Sequence, residues 1–196
     1  MRQMLYSTAL VLTLAAGTLF FYSFSQAESG KTKGASKEQI ERGRYLVMIG
    51  GCQDCHTPKT MGPQGPLFHP MKTLSGHQAG SKLPDVPDGV IAPDKWGALT
   101  NHDLTAWVGL WGTSFSANLT PDEATGIGAW TEEQWLQTFR TGKHLGTGRP
   151  ILPPMPIKEM AQMEEEDLKA IFAYLMSIKP IRNAVPQPIP PPGDGK

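Results

Sequence analysis

The stretch Cys52-Gln53-Asp54-Cys55-His56 contains both cysteines of this 196-residue chain, and the rest of the sequence is interpreted from it. Its C-x-x-C-H spacing is the one at which haem c is attached. Two intervening residues let the two thiols reach vinyl groups on adjacent pyrroles of the porphyrin. His56 then falls beneath the ring, where its imidazole can take one axial position on the iron. One motif predicts one covalently bound haem.

The second axial ligand must come from elsewhere in the chain. Met155 lies in the proline-framed stretch 153–156, and prolines stiffen an extended loop that has to lie across the ring. A methionine sulfur raises the iron potential, whereas a histidine lowers it. We therefore predict His56 and Met155 as the iron ligands, with Met160, Met163 or a histidine as alternatives.

The first 27 residues predict export. Residues 4–24 carry no charge and follow Arg2, and Ser25-Gln26-Ala27 has the small-x-small pattern of a cleavage site. The same apolar run is long enough to span a bilayer. We therefore expect either a cleaved signal peptide or an uncleaved N-terminal membrane anchor, with the remaining chain periplasmic or otherwise extracytoplasmic. Residues 28–36 are polar and glycine-containing, which is typical of a flexible spacer.

Three other uses of Cys52 and Cys55 compete with haem attachment. A zinc site needs two further ligands at suitable spacing, but the other histidines, at positions 69, 77, 102 and 144, are scattered singly. A disulfide suits an exported protein, although a two-residue loop is unusual for a structural bridge. A thioredoxin-like dithiol needs a βαβ context, and none is recognisable here. The motif together with the export signal favours haem.

Helical periodicity is clearest on either side of the motif. Residues 37–50 predict a first helix with Ser36 as its N-cap. A capping box at Thr131 opens a second helix that runs through Thr141. Acidic residues and an apolar i, i+3, i+4, i+7 stripe predict a last helix over residues 165–179.

Prolines and glycines interrupt most of the remaining chain. Prolines recur through residues 57–97, which predicts an extended wrapping segment. We expect a short helix within residues 101–110. Residues 181–196 form a Pro/Gly-rich tail, expected to be disordered or polyproline-like. Together these elements predict an all-α fold of short helices joined by long loops.

The composition limits the classes of function. The chain has 18 basic and 18 acidic residues and no formal net charge, which excludes the basic surface of a nucleic-acid-binding protein. Glycine, at 21 residues, and proline, at 18, both exceed average usage. A loop-rich body is therefore expected.

Over residues 37–180 the chain resembles class I c-type cytochromes. The resemblance rests on a helix leading into C-x-x-C-H, a proline-framed methionine and a C-terminal helix. Segments 120–130, 141–144 and 153–156 are similar to those of bacterial exported cytochromes. The resemblance to class I c-type cytochromes implies a cytochrome c fold in which the first and last helices cross. The candidates for that contact are Gly43, Tyr45, Phe172, Tyr174 and Leu175.

His56 and Met155 lie 99 positions apart (155 − 56), a long gap for a small cytochrome. This gap predicts a loop insertion over residues 61–115 that could serve as a partner surface. The resemblance also implies a redox protein partner, either a dehydrogenase or an oxidase.

His/Met ligation leaves the iron no open position, which suits one-electron transfer and not catalysis. We therefore expect an electron carrier with no catalytic residues. The alternative is a haem enzyme or gas sensor with a displaceable sixth ligand. Membrane attachment through residues 4–24 and a soluble carrier are both compatible with electron transfer.

Overall fold

The computed structural model describes residues 34–191. The predicted leader, most of the predicted spacer and residues 192–196 lie outside the described residues. In the described part, the elements in chain order are α1 (Lys37–Ile49), α2 (Cys52–His56), β1 (Lys59–Gly62), β2 (Gly65–Phe68), β3 (Ala98–Thr100), β4 (Ala106–Gly109), β5 (Gly112–Phe115), α3 (Glu132–Thr141), a 3-10 turn (His144–Gly146), α4 (Ile157–Met160) and α5 (Glu165–Ser177).

The prediction of an all-α fold is wrong, because the region between α2 and α3 contains two small antiparallel sheets. β1 pairs with β2, with Gly62 opposite Gly65. β3, β4 and β5 form the second sheet in that order. A tight turn joins β4 to β5 between Gly109 and Gly112, and these two glycines are opposite each other in the strand pairing. Gly112 has φ +92°, a conformation that glycine adopts without strain.

The short helix expected within residues 101–110 is also wrong. Asn101 forms a side-chain turn there, since its Oδ1 accepts hydrogen bonds from the backbone N–H groups of Thr105 (2.9 Å) and Ala106 (3.1 Å). Asparagine commonly favours such turns over helix interiors. The chain then enters β4, where Trp107 and Val108 suit a strand.

The predicted crossing of the first and last helices centres on Gly43. A Cβ atom at this position would lie 1.9 Å from the Ala170 carbonyl oxygen and 2.8 Å from the Tyr174 Cβ. Only glycine therefore permits this approach of α1 to α5. Beside the crossing, the Arg42 guanidinium holds the Asp167 carboxylate through two hydrogen bonds of 2.9 and 3.0 Å. Tyr45, another predicted contact, remains 45% exposed.

The helix α3 begins as its sequence predicts. The Thr131 hydroxyl accepts from the Gln134 backbone N–H at 3.1 Å, and the Gln134 side chain accepts from the Thr131 N–H at 2.9 Å. The buried face of α3 carries Trp135, whose indole N–H donates to the Leu168 carbonyl on α5 at 2.8 Å. Trp135 also packs edge-on against Phe139, with ring centroids 4.8 Å apart. Residues of α1, α3 and α5 thus share one core.

After α5, residues 181–191 run in an extended conformation along the body of the protein. Ile181 exchanges hydrogen bonds with Thr120: its N–H donates to the Thr120 hydroxyl at 3.0 Å, and its carbonyl accepts from that hydroxyl at 3.2 Å. Further on, Ile189 and Thr113 bond through both backbone groups, at 2.7 and 2.9 Å. We call residues 181–191 the C-terminal strap. No helix among residues 34–191 combines the length and apolarity needed to cross a membrane.

Candidate haem-binding site

The two cysteines and His56 lie together on α2, a helix of five residues. Gly51 precedes it with φ +63°, so the chain turns sharply between α1 and the motif. Both thiols are free and partly accessible. Burial raises the pKa of each thiol, and the nearby positive charge of Lys59 opposes this for Cys55.

The ring of His56 is oriented by a backbone carbonyl. Its Nδ1 lies 2.8 Å from the Ala117 carbonyl oxygen. A carbonyl oxygen can only accept, so Nδ1 carries the proton and donates it. In the neutral ring the lone pair is then on Nε2, the atom left to bind a metal. Burial lowers the pKa of His56, which favours this neutral form, while the bond to Ala117 raises it.

Met155 is half-buried and packs against the core shared by the helices. Its loop is held at both ends. The Ser114 hydroxyl of β5 donates to the Pro153 carbonyl at 2.5 Å. On the other side, the Ile157 N–H donates to the Met155 carbonyl at 2.8 Å. The second sheet, which the sequence did not predict, thus anchors the predicted ligand loop.

The alternative methionines pack against the same core as Met155. Met160 and Met163 are also half-buried against the same core. Cys52 belongs to this group of partly buried apolar side chains as well. The partly buried apolar side chains around this core therefore include one predicted thioether cysteine and all three candidate sulfur ligands.

The other histidines make local contacts. His77 is 1% exposed, and its Nδ1 lies 2.9 Å from the Thr105 hydroxyl, while its Nε2 has no partner. His144 packs edge-on against Trp130 with ring centroids 5.0 Å apart. His69 and His102 contact Met71 and Asp103 respectively.

These residues have the chemistry that a covalently bound haem requires. Two free thiols stand at the attachment spacing, an imidazole is fixed with Nε2 unprotonated, and a methionine sulfur is partly accessible at the apolar core. Among residues 34–191 no group of three or more His, Cys, Asp or Glu side chains could hold a metal ion.

Two cavities lie elsewhere, between residues 81–86 and residues 99–108. Their volumes are about 540 and 140 Å³, and neither is lined by the cysteines, His56 or Met155. Neither cavity is therefore the candidate haem site, because a thioether attachment requires the cysteines.

Comparison with known proteins points to the same chemistry. The chain is 29% identical over 151 residues to one of the subunits of nicotinate dehydrogenase from Pseudomonas putida, covering 77% of this chain and 10% of that protein. It is 27% identical over 175 residues to the gluconate 2-dehydrogenase cytochrome c subunit of Pantoea cypripedii, covering 89% of this chain and 30% of that protein. It is 25% identical over 182 residues to the cytochrome c subunit of the quinone alcohol dehydrogenase of Gluconacetobacter polyoxogenes, covering 92% of this chain and 29% of that protein.

This chain is similar to cytochrome c subunits of dehydrogenases. That similarity supports a cytochrome c domain. The chain spans less than a third of the length of these curated relatives. No family model matches the sequence.

Several residues at the site have no signal in the sequence. The Ala117 carbonyl is a backbone group, and its role depends on the fold alone. The stretch 74–77, Leu-Ser-Gly-His, matches no motif that would suggest a mechanism. In the structure it packs behind His56, since the Gly76 N–H donates to the His56 carbonyl at 2.8 Å.

Proposed function

We propose that the protein is a one-electron carrier with a single haem c attached to Cys52 and Cys55 and ligated by His56 and Met155. It would work in an extracytoplasmic respiratory or dehydrogenase-linked chain. The observation that carries the proposal is the His56 ring, held by Ala117 with Nε2 free, on the same short helix as two free thiols.

When bound, the haem supplies an iron that cycles between ferrous and ferric states. The protein's own residues fix the geometry around it. The Ala117 carbonyl sets the tautomer and orientation of His56, and a hydrogen bond at Nδ1 increases the basicity of a metal-binding imidazole. Ser114 holds the loop of Met155 through Pro153. Met155 packs against the apolar core shared by the helices, and ligation by His56 and Met155 suits electron transfer without a change of ligand.

The partner we propose is a dehydrogenase. Three relatives are named as cytochrome subunits of gluconate, alcohol and fructose dehydrogenases, and this supports a role as the electron-transfer subunit and not the catalytic one. Export is supported by the pattern of residues 1–27.

The first test is the optical spectrum of the full chain expressed with a haem c maturation system. We expect a covalently haem-stained protein with one haem per chain by intact mass. The ferric form should show the weak charge-transfer band of sulfur-ligated haem. Met155→Ala should abolish that band, whereas Met160→Ala and Met163→Ala, which remove half-buried methionines packed against the same core, should keep it.

Each other outcome has a definite meaning. A Met155→Ala variant that keeps the band removes Met155 from the ligand set. A haem protein without the band in the wild type, and with carbon monoxide bound to its reduced form, would instead be a haem enzyme or gas sensor. A chain that takes up no haem refutes the proposal as a whole.

A further inference from the structure

The carbonyl that orients His56 has a close neighbour on its far side. Gly76 has φ +76°, and a Cβ atom there would lie 2.6 Å from the Ala117 carbonyl oxygen and 2.4 Å from the Ser116 carbonyl oxygen. The turn containing Gly76 is therefore packed directly against the hydrogen-bond acceptor of His56.

This turn is tied to the segment that it supports. The His77 N–H donates to the Ser116 carbonyl at 2.9 Å, and the Leu119 N–H donates to the Leu74 carbonyl at 2.9 Å. Leu74 has φ +58°, a conformation unusual for a residue with a side chain. Such a conformation persists only where neighbouring contacts impose it.

Asn183 of the C-terminal strap supplies such contacts. Its side-chain amide donates to the Ser75 carbonyl at 2.7 Å and to the His77 carbonyl at 2.8 Å. Its Oδ1 accepts from the Ala79 N–H at 3.0 Å. Asn183 is only 8% exposed. This buried side-chain amide thus donates hydrogen bonds to the carbonyls on both sides of Gly76.

We propose that Asn183 is a positioning residue for His56, because it fixes the Gly76 turn against the Ala117 carbonyl. The inference rests on the proposed function, in which His56 is the axial ligand. In this proposal the C-terminal strap helps to set the reduction potential of the iron, besides packing along the body of the protein.

The physical effect has a definite direction. The bond from His56 Nδ1–H to the Ala117 oxygen makes the imidazole a stronger electron donor, which favours ferric iron. Without the Asn183 side chain, the Gly76 turn is less constrained, and the Ala117 carbonyl that packs against this turn is less constrained as well. The bond to His56 then weakens, and the reduction potential moves to a more positive value.

The test uses neutral substitutions, so that no new charge acts on the iron. Asn183→Ala removes all three side-chain hydrogen bonds, and Asn183→Ser is made as a second variant in case the first fails to fold. Ile181→Ala is the matched control, since it loosens the same strap through a half-buried side chain and leaves the Asn183 amide intact. Where the wild type binds haem, the holoprotein is used for both measurements.

Two quantities are measured on each variant. The first is the midpoint reduction potential. The second is the exchange rate of the His56 Nδ1 proton in the reduced protein, followed by NMR. For Asn183→Ala we expect a positive shift in potential and proton exchange about fivefold faster or more, the factor that one net hydrogen bond is worth. Asn183→Ser should shift both quantities in the same direction, and Ile181→Ala should leave both near their wild-type values.

The proposal is overturned if the Asn183 variants fold with haem and keep both wild-type values. It is also overturned if Ile181→Ala shifts both as far as Asn183→Ala, since general loosening of the strap would then suffice. Failure of the proposed function is recognised separately. In that case the wild type lacks haem or its His56 is not a ligand, and the exchange rate of the Nδ1 proton, measured in the protein as isolated, still reports whether Asn183 acts on His56.

Discussion

Replacing Gly43 by alanine tests whether the approach of α1 to α5 is as close as the structure has it. The new Cβ would lie 1.9 Å from the Ala170 carbonyl oxygen, and ordinary contact begins at 3.4 Å. The two helices must therefore separate locally by about 1.5 Å (3.4 − 1.9). The atom met first belongs to the backbone, so no side-chain rotation relieves the contact.

The magnitude follows from two opposing effects. Overpacking costs about 1–3 kcal/mol, and a backbone contact belongs at the upper end of that range. Alanine favours the helix over glycine by about 1 kcal/mol. The net loss in the free energy of unfolding is then about 2 kcal/mol. For a domain of this size each kcal/mol lowers Tm by roughly 2–4 °C, so Tm should fall by roughly 4–8 °C.

The assay is thermal unfolding followed by circular dichroism in the helical region. Gly97→Ala is the control, because a Cβ atom at Gly97 meets nothing within 4 Å. Its Tm should stay close to that of the wild type. A Gly43→Ala protein that unfolds at or above the wild-type temperature would refute the crossing geometry.

Two further changes probe the fold and the region behind His56. Thr131→Ala removes the N-cap of α3 and should lower the free energy of unfolding by about 1 kcal/mol in urea denaturation, whereas the exposed Thr147→Ala should not. Burial lowers the pKa of His77 below its usual 6.5. As the pH falls, His77 therefore takes up a proton in the unfolded state before it does so in the folded state. Its contribution to the free energy of unfolding is present above about pH 6.5 and is lost progressively below it. The urea concentration at the midpoint of unfolding should therefore be lower at pH 5.5 than at pH 7.5. If His77→Gln shows an equal drop, His77 contributes nothing to this pH dependence.

The three long helices α1, α3 and α5 could be predicted from the sequence because their signals are local, whereas the shorter α2 and α4 were not predicted. The capping box at Thr131, the cap at Ser36 and the apolar stripe of α5 each lie within a few residues of the element they specify. The C-x-x-C-H motif at Cys52, Cys55 and His56 is local as well, and the haem attachment that it indicates is a prediction. The ligation of iron by His56 and Met155 stays a prediction.

The strands were missed because each is only three or four residues long and the prolines nearby suggested loops. A strand of this length has too few residues for alternation to be recognised. The helix expected over 101–110 failed because the side chain of Asn101 competes for backbone N–H groups. Nothing in the sequence could indicate the Ala117 carbonyl, since every residue carries one.

The distance along the chain between Asn183 and the turn it holds has a consequence for the order of events during synthesis. Asn183 bonds residues 108 and 106 positions before it, and contacts across so long a loop form only once both ends exist. Position 183 follows His56 by 127 residues (183 − 56), which at about 5–20 residues per second is roughly 6–25 s of translation. Throughout that interval the motif is already made while the turn behind His56 is not yet locked. Until residues 181–191 have been made and packed, the chain therefore lacks the contacts that complete the surroundings of His56.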